Sequence, residues 1–221
     1  MRKRLVLFGA ADVAQIANYY FEIDSDYEVV AFCVDRDYKT GTEFEGKPLV
    51  AFEEVARLFP PSEHEMFIAL SYGQMNRLRE AKYNHAKKMG YRIASYISSR
   101  CSYLSQYRPG DNAFIFEDNT VQPFVRIGEN VTLWSGNHVG HHSEIASHNF
   151  VSSHVVISGH CKVNSYCFLG VNSTIAHTVE IASGTLVGAG AVITKNTEEG
   201  CIYVPPRAVK LENRRSDQVK L

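Results

Sequence analysis

Val139-Gly140-His141-His142-Ser143-Glu144, Ile145-Ala146-Ser147-His148-Asn149-Phe150 and Val151-Ser152-Ser153-His154-Val155-Val156 are three successive hexads, each opening on a branched aliphatic residue. The same phase runs without a slip from Ile115 to Ile193, fourteen positions in all. An amphipathic helix repeats its apolar positions at three and four residues, and a half-buried strand repeats them at two. An unbroken period of six fits neither. It specifies a solenoid of short strands and turns, with each hexad forming one side of a coil.

The fourth residue after each aliphatic is small or slim, as at Val125, Ser143, Val155, Cys161, Cys167 and Ser173, so this position also suits the interior. Asn119, Asn137 and Asn149 share the phase and need partners there, which stacked neighbours supply. The pattern resembles the hexapeptide-repeat acyltransferases. That resemblance implies a left-handed parallel β-helix with three hexads per coil. The handedness belongs to the resemblance, since parallel crossovers are ordinarily right-handed.

At 221 residues, with 45% hydrophobic and 21% charged residues, the chain has the composition of a soluble globular protein with room for one large domain or two. A net charge of −1 argues against a general nucleic-acid binder. Five cysteines, an odd number with no Cys-x-x-Cys, read as free thiols in a reducing compartment. Cys161 and Cys167 fall at the inward phase as small core filler. No segment is long enough to span a membrane. The basic start Met1-Arg2-Lys3-Arg4 leads into an apolar run that ends before Asp12, too soon for a signal peptide. The expectation is a cytoplasmic protein with neither membrane nor nucleic acid as partner.

Residues before the repeat follow other periods. Residues 4–8 read as a buried strand, 12–21 as a helix, 28–34 and 66–70 as strands, 74–89 as a helix stopped by Gly90, and 91–97 as a further strand. Alternating strand and helix predicts a small parallel α/β sheet whose ligands bind beyond the carboxyl ends of its strands. Gly9, Ala10, Ala11 and Asp12 form such a rim, where helix N-terminal amides can hold phosphate oxygens. Asp35 and Arg36 end the second strand, and Ser71 and Tyr72 follow another, on the same rim. The first turn has one glycine where a dinucleotide fingerprint has three, so it does not specify NAD. Asp12 reads equally as a helix cap.

Six of the nine histidines lie between His138 and His160. His142, His148, His154 and His160 share one phase, but successive hexads lie on different sides of a three-sided coil, so among them His142 and His160, three hexads apart, stack. His148, His154 and His160 read individually as exposed corner residues, and no metal site is expected. His141 stands in another column, with Pro123, Gly159, His177 and Lys195. With adjacent strands about 4.8 Å apart, Lys195 falls roughly 14 Å from His141 along the axis, the scale of an extended pantetheine arm. A base at one end, a glycine leaving space beside it and a cation near the far end suit a thioester cofactor with phosphates at its tail.

Two stretches, Gly140-His141-His142-Ser143-Glu144-Ile145 and Cys167-Phe168-Leu169-Gly170-Val171-Asn172-Ser173-Thr174-Ile175, narrow the resemblance. They are similar to bacterial sugar acyltransferases associated with sialic-acid O-acetylation, a group that includes N-acetyltransferases for nucleotide-linked 4-amino-4,6-dideoxy sugars of O-antigen biosynthesis. The resemblance covers the whole chain. It implies an α/β nucleotide-sugar-binding domain over residues 1–108, a β-helix acyltransferase domain over 109–196 and a C-terminal tail over 197–221. It implies acetyl-CoA as co-substrate, a nucleotide-linked amino sugar as partner, no metal, and a homotrimer with its active site between β-helices.

By the same resemblance His141 is the catalytic base, Gly159, Val171 and Ala189 approach acetyl-CoA, and the N-terminal rim holds the nucleotide sugar. The chain departs from the family at three places. His142 follows His141 where a Glu or Asp usually does, with Glu144 as a more distant substitute; Phe150 stands where a second histidine is common; and Val204-Pro205-Pro206 replaces a glycine-bearing turn. The outward column Phe116, Trp134, Ser152, Gly170 and Gly188 has two large aromatics that burial at a trimer interface would suit. Direct attack of a sugar amine needs a proton acceptor, and imidazole, with an ordinary pKa of about 6.5, serves near neutral pH. Backbone N–H near Gly159 suits the oxyanion.

Sugar O-acetylation is the nearest alternative. A zinc hydratase resembling γ-carbonic anhydrase would need histidines 36 and then 5 apart; His141 and His177 meet the first interval, but position 182 is Ala182. A non-catalytic solenoid would lack the polar column.

Overall fold

The computed structural model describes residues 2–210 and Arg215. Its first part is a parallel sheet in the order β3-β4-β2-β1-β5-β6, built from β1 (Lys3–Phe8), β2 (Tyr27–Val34), β3 (Glu43–Phe44), β4 (Lys47–Ala51), β5 (Glu65–Ile68) and β6 (Arg92–Ile93); β3 alone pairs antiparallel. Helices α1 (Asp12–Ile23), α2 (Val55–Leu58) and α3 (Arg77–Lys88) connect these strands. The centre of β1 and β2 is apolar on both faces and fully buried, as a strand covered on two sides must be.

The expected helix from residue 74 starts three residues later, because Gln74, Met75 and Asn76 take positive φ (53°, 51° and 68°) in a left-handed turn before α3. The strand expected over 91–97 divides in two. Arg92–Ile93 closes the α/β sheet, and Tyr96–Ile97 already belongs to the coil.

From Tyr96 onward two-residue strands stack in parallel on three faces. Face I holds Tyr96–Ile97, Phe114–Ile115, Thr132–Leu133, Phe150–Val151, Phe168–Leu169, Leu186–Val187 and Ile202–Tyr203. Face II runs from Ser102–Tyr103 through His138–Val139 to Val192–Ile193, and face III from Arg126–Ile127 through Glu144–Ile145 to Glu180–Ile181. Strands three hexads apart pair with each other, as Thr120 with His138 and His138 with Val156. Sheet pairing therefore extends on both sides of residues 109–196. Of the tail expected over 197–221, residues 211–214 and 216–221 lie outside the described residues.

The aliphatic at every sixth position is buried, from Ile115 to Ile193, and together these side chains form one continuous apolar core. Burying each such side chain stabilises by roughly 1.5–3 kcal/mol. The inward asparagines are satisfied coil to coil: the Asn137 backbone N–H donates to Asn119 Oδ1 (3.2 Å), that of Val155 to Asn137 Oδ1 (2.7 Å), and that of Cys167 to Asn149 Oδ1 (2.6 Å). Corners also recur every six residues, at a residue of positive φ. Asn130 (57°), Gly136 (77°), His142 (59°), His148 (63°), His154 (57°) and His160 (56°) belong to that series. Glycine adopts this conformation freely, and Asn, Asp and His are the side chains enriched there. The shared histidine phase is therefore a backbone preference, and His141, one residue earlier, falls outside it.

The α/β unit docks on face I and the corner between faces III and I. Tyr20 of α1 lies 4.9 Å from Phe116, which lies 4.5 Å from Trp134, and Phe67 of β5 lies 5.1 Å from Phe114 (ring centroids). Phe116 is buried within the chain. The aromatic column expected to need a trimer partner is thus covered by this chain's own first unit.

Arg79 of α3 is wholly buried and donates to Thr132 Oγ1 (2.9 Å), Asn76 Oδ1 (2.9 Å) and the carbonyls of Asn130 (3.0 Å) and Asn149 (2.9 Å). None of these acceptors is charged, and burial lowers the guanidinium to about 9, which still leaves it protonated at neutral pH. Replacing Arg79 with Ala removes a donor set that closes three coil and helix ends at once. Urea unfolding should show a loss of about 2–4 kcal/mol, as for a buried charged group leaving several acceptors unpaired; a loss under about 1 kcal/mol would show that the joint does not depend on it.

Candidate active site

His141 lies at the corner between faces II and III, directly after Gly140. A side chain at Gly140 is barred by the backbone of the next coil, and one at Gly159 would push the His141 ring from its place. A Cβ at Gly140 would stand 2.5 Å from the Gly159 nitrogen, and one at Gly159 would stand 2.9 Å from Cε1 and Nε2 of His141. The imidazole therefore lies across the bare backbone of the next coil, and its own backbone N–H donates to Gln122 Oε1 (2.8 Å). Its Nδ1 is 3.1 Å from Nδ1 of His142. The latter ring stacks on His160 at 4.8 Å with 8° between planes, and Phe124 adjoins its other side at 4.5 Å. His177 continues the group, 5.5 Å from His160.

Glu144 is exposed on the face III strand, and the neighbour whose ring nitrogen meets His141 is a second imidazole. His160 is held below the ordinary imidazole range by desolvation and by the like charges of His142, His141 and His177.

His148 is a correction to the exposed-corner expectation. Its side chain is largely covered: Nδ1 meets Asn130 Nδ2 at 3.0 Å, Nε2 lies 3.5 Å from Glu80 Oε1, and the ring stacks on Tyr166 at 5.4 Å. Burial is the leading reason that its pKa is lowered. The cause is α3, which lies over the corner between faces III and I and was not predictable from the repeat.

The N-terminal turn lies on the other side of the coil from His141. Gly9 has φ of 132°, and a Cβ there would stand 2.7 Å from the Ala69 carbonyl oxygen, so the β1–α1 turn presses against the end of β5. Ala11, not Asp12, is the N-cap residue, and no side chain caps α1. Ala11 and Asp12 are exposed beside the half-buried Ala10. Asp35 is paired with Lys82 (2.5 Å) and Arg36 with Glu54 (3.0 Å). Ser71 is exposed, and the Tyr72 ring crosses to face I, 4.5 Å from Phe168 and 5.0 Å from Phe150.

Phe150 thus joins Tyr72, Trp134 and Phe168 in an aromatic shelf above Gly170, Val171 and Ala189, along an open groove of about 360 Å³. Small residues keep the groove open, since a Cβ at Gly170 would stand 2.6 Å from the Ala189 nitrogen. The structure therefore brings Tyr72, Val171 and Ala189 together and sets Gly159 against His141. Lys195 is exposed at the far end of the His141 column. Sequence reasoning did not single out Gln122 or Phe124; counting back three hexads from Gly140 and His142 identifies both.

In a three-sided coil the corner between faces II and III is the one remote from face I. Within one chain the rim and His141 are consequently separated by the width of the β-helix.

No family model matches the chain, and no curated protein matches it. Solved structures do. The acetyltransferase domain of PglB from Neisseria gonorrhoeae FA1090 aligns over 92% of this chain and 97% of its own with a TM-score of 0.81 at 17% identity, and has also been solved in complex with acetyl coenzyme A. A mutant of perosamine N-acetyltransferase from Caulobacter crescentus, in complex with CoA and GDP-perosamine, aligns over 91% of this chain and 93% of its own, with a TM-score of 0.79 and 19% identity. WeeI from Acinetobacter baumannii AYE aligns over 92% and 97%, with 0.78 and 19%. At these identities the likeness shows the fold, an α/β unit followed by a left-handed parallel β-helix.

The histidine group has a titration signature. A proton NMR titration should find His160 below the ordinary imidazole value and moving up in His142→Asn, which removes one repelling neighbour. A folded-state value below the unfolded one means that the unfolded chain binds more protons as pH falls through the imidazole range. His160's contribution therefore favours the folded state above that range and is lost on acidification. A His160 value unmoved by His142→Asn would contradict the coupling.

Proposed function

We propose that the chain is an acetyl-CoA-dependent N-acetyltransferase acting on the amino group of a nucleotide-linked amino-deoxy sugar, with His141 as general base. The observation that carries this reading is the contact of His141 with His142 over Gly159. Two ring nitrogens 3.1 Å apart share one proton. When His141 Nδ1 holds it and His142 Nδ1 accepts, His141 Nε2 carries a free lone pair, the tautomer a base requires. His142 then serves where a carboxylate would in relatives.

Transfer forms one C–N bond and breaks one C–S bond, and the proton lost by the amine ends on the departing thiolate. His141 Nε2 takes that proton as the amine attacks, and backbone N–H near Gly159 faces the developing oxyanion. No side-chain nucleophile is needed. The groove over Gly170, Val171 and Ala189 has the small residues and open space that an extended acyl carrier requires, while Lys195, at the His141 corner, meets its phosphates from a second copy. Gly9 to Asp12, Asp35, Arg36 and Ser71 form the rim for the nucleotide sugar, and an uncapped helix N-terminus suits a diphosphate.

Because rim and base lie on opposite sides of one coil, the complete site needs a second copy. Face II offers the surface, with exposed Val156 (39%) and Val192 (64%) and Phe124 (48%) at its edge. A homotrimer joining face II to the neighbour's rim completes three sites and supports cytoplasmic work on a soluble substrate.

Thiol release from acetyl-CoA against UDP-, dTDP- and GDP-linked amino sugars should identify an acceptor. Acylation only of sugars lacking an amine would favour O-transfer instead. With the acceptor known, His141→Asn should lower kcat by at least about 10²-fold and His142→Asn by less. A dead His142→Asn beside an active His141→Asn would reverse the assignment. Sedimentation should find a trimer, and a stable monomer at micromolar concentration would exclude the shared site.

A further inference from the structure

Three imidazoles at the corner between faces II and III present nitrogen atoms to one another with no acid among them. We propose that His141, His142 and His160 form a binding site for a divalent transition-metal ion that prefers imidazole, zinc above all. One ring nitrogen from each lies within 4.8 Å of the others, and all three side chains are exposed. The His141 Nδ1 to His142 Nδ1 distance is 3.1 Å. Two ligands on a tetrahedral ion with metal–nitrogen bonds of about 2.0–2.1 Å stand about 3.3 Å apart. That pair is already at ligand spacing, with a proton between the nitrogens where the ion would lie. His160 completes three ligands by a ring rotation on an exposed side chain, leaving the fourth position to water.

Several features favour the ion. Neither ring nitrogen of His160 has a hydrogen-bond partner among the described residues, so its rotation gives up the stacking on His142 but no hydrogen bond. Gly159 leaves the side of His141 open, and the Gln122 carboxamide anchors the His141 backbone. Phe124 packs against the His142 ring and restricts that ligand before any ion arrives. The neighbouring His154 occupies an equivalent left-handed corner but faces a different edge of the coil, so corner geometry alone does not create the site. Protons compete for the same nitrogens, which makes binding weaken on acidification.

Binding does not depend on the function proposed above. Its consequence does: an ion held on His141 Nδ1 leaves the ring's proton on Nε2, where the base needs a free lone pair, so a bound zinc ion inhibits acyl transfer reversibly.

The test uses the full chain stripped with EDTA, titrated with zinc by calorimetry and with cobalt(II) by visible absorption. One ion per chain is expected, with the intense absorption of a tetrahedral cobalt site. His160→Asn and His142→Asn should each weaken zinc binding at least about 10-fold, and His154→Asn should leave it unchanged. Circular dichroism verifies that each variant is folded. Absence of binding to the wild type, or equal weakening by His154→Asn, overturns the proposal. In the transfer assay, zinc should inhibit the wild type with reversal by EDTA, and His160→Asn should keep its activity while losing zinc sensitivity. One ion bound at this site in a chain with no transferase activity would count against the proposed function and leave the metal site standing; an active enzyme that binds no zinc would do the reverse.

Discussion

Everything in this molecule follows from one packing constraint: an aliphatic side chain must enter the coil at every sixth residue and meet its equivalent on the next coil, three hexads away. The inward series fixes the outward one. It also fixes where the chain turns, and the turn takes a left-handed residue at the same place in each hexad. Side-chain chemistry is then sorted by phase. His142, His148, His154 and His160 occupy the position where histidine is tolerated for its backbone, whereas His141 has no such reason to be present. That difference, rather than histidine abundance, is what marks it.

The second determinant is how the α/β unit is held. A protonated guanidinium without a carboxylate partner is costly to bury unless its donors are met, and both terminal nitrogens of Arg79 meet acceptors drawn from both units while its buried Nε–H has none. Such a contact is directional, unlike the aromatic cluster beside it. It fixes the rim over face I and so fixes the distance from the rim to His141. A loosely docked unit would leave that distance open to rotation; this joint does not.

What was legible in the sequence was whatever is periodic. The coil, its core and the His142–His160 stack follow from counting, and the first strands and α1 from local pattern. What escaped was whatever depends on two periodic units meeting. The chain from Tyr91 to Ile97 reads as one strand because its residues suit a strand throughout, yet it serves two sheets. His148 reads as exposed because the repeat contains no trace of α3. Phe116 reads as an intermolecular surface because nothing in its column announces Tyr20. Asp35 and Arg36 read as free rim charges, and each proves to hold a neighbour. Tertiary contacts between dissimilar units have no spacing to betray them.

Replacing a carboxylate with His142 changes the character of the corner more than its geometry. A carboxylate would orient His141 and also stabilise its protonated form; a neutral imidazole orients it equally well through one hydrogen bond but offers no compensating charge. Proton uptake by one ring then opposes uptake by the next, which is the effect seen in the lowered His160. A group of neutral nitrogens at near-ligand spacing, kept apart from acids and open to water, satisfies the requirements of a base and of a soft cation alike. A second imidazole beside His141 is therefore what makes this corner receptive to both.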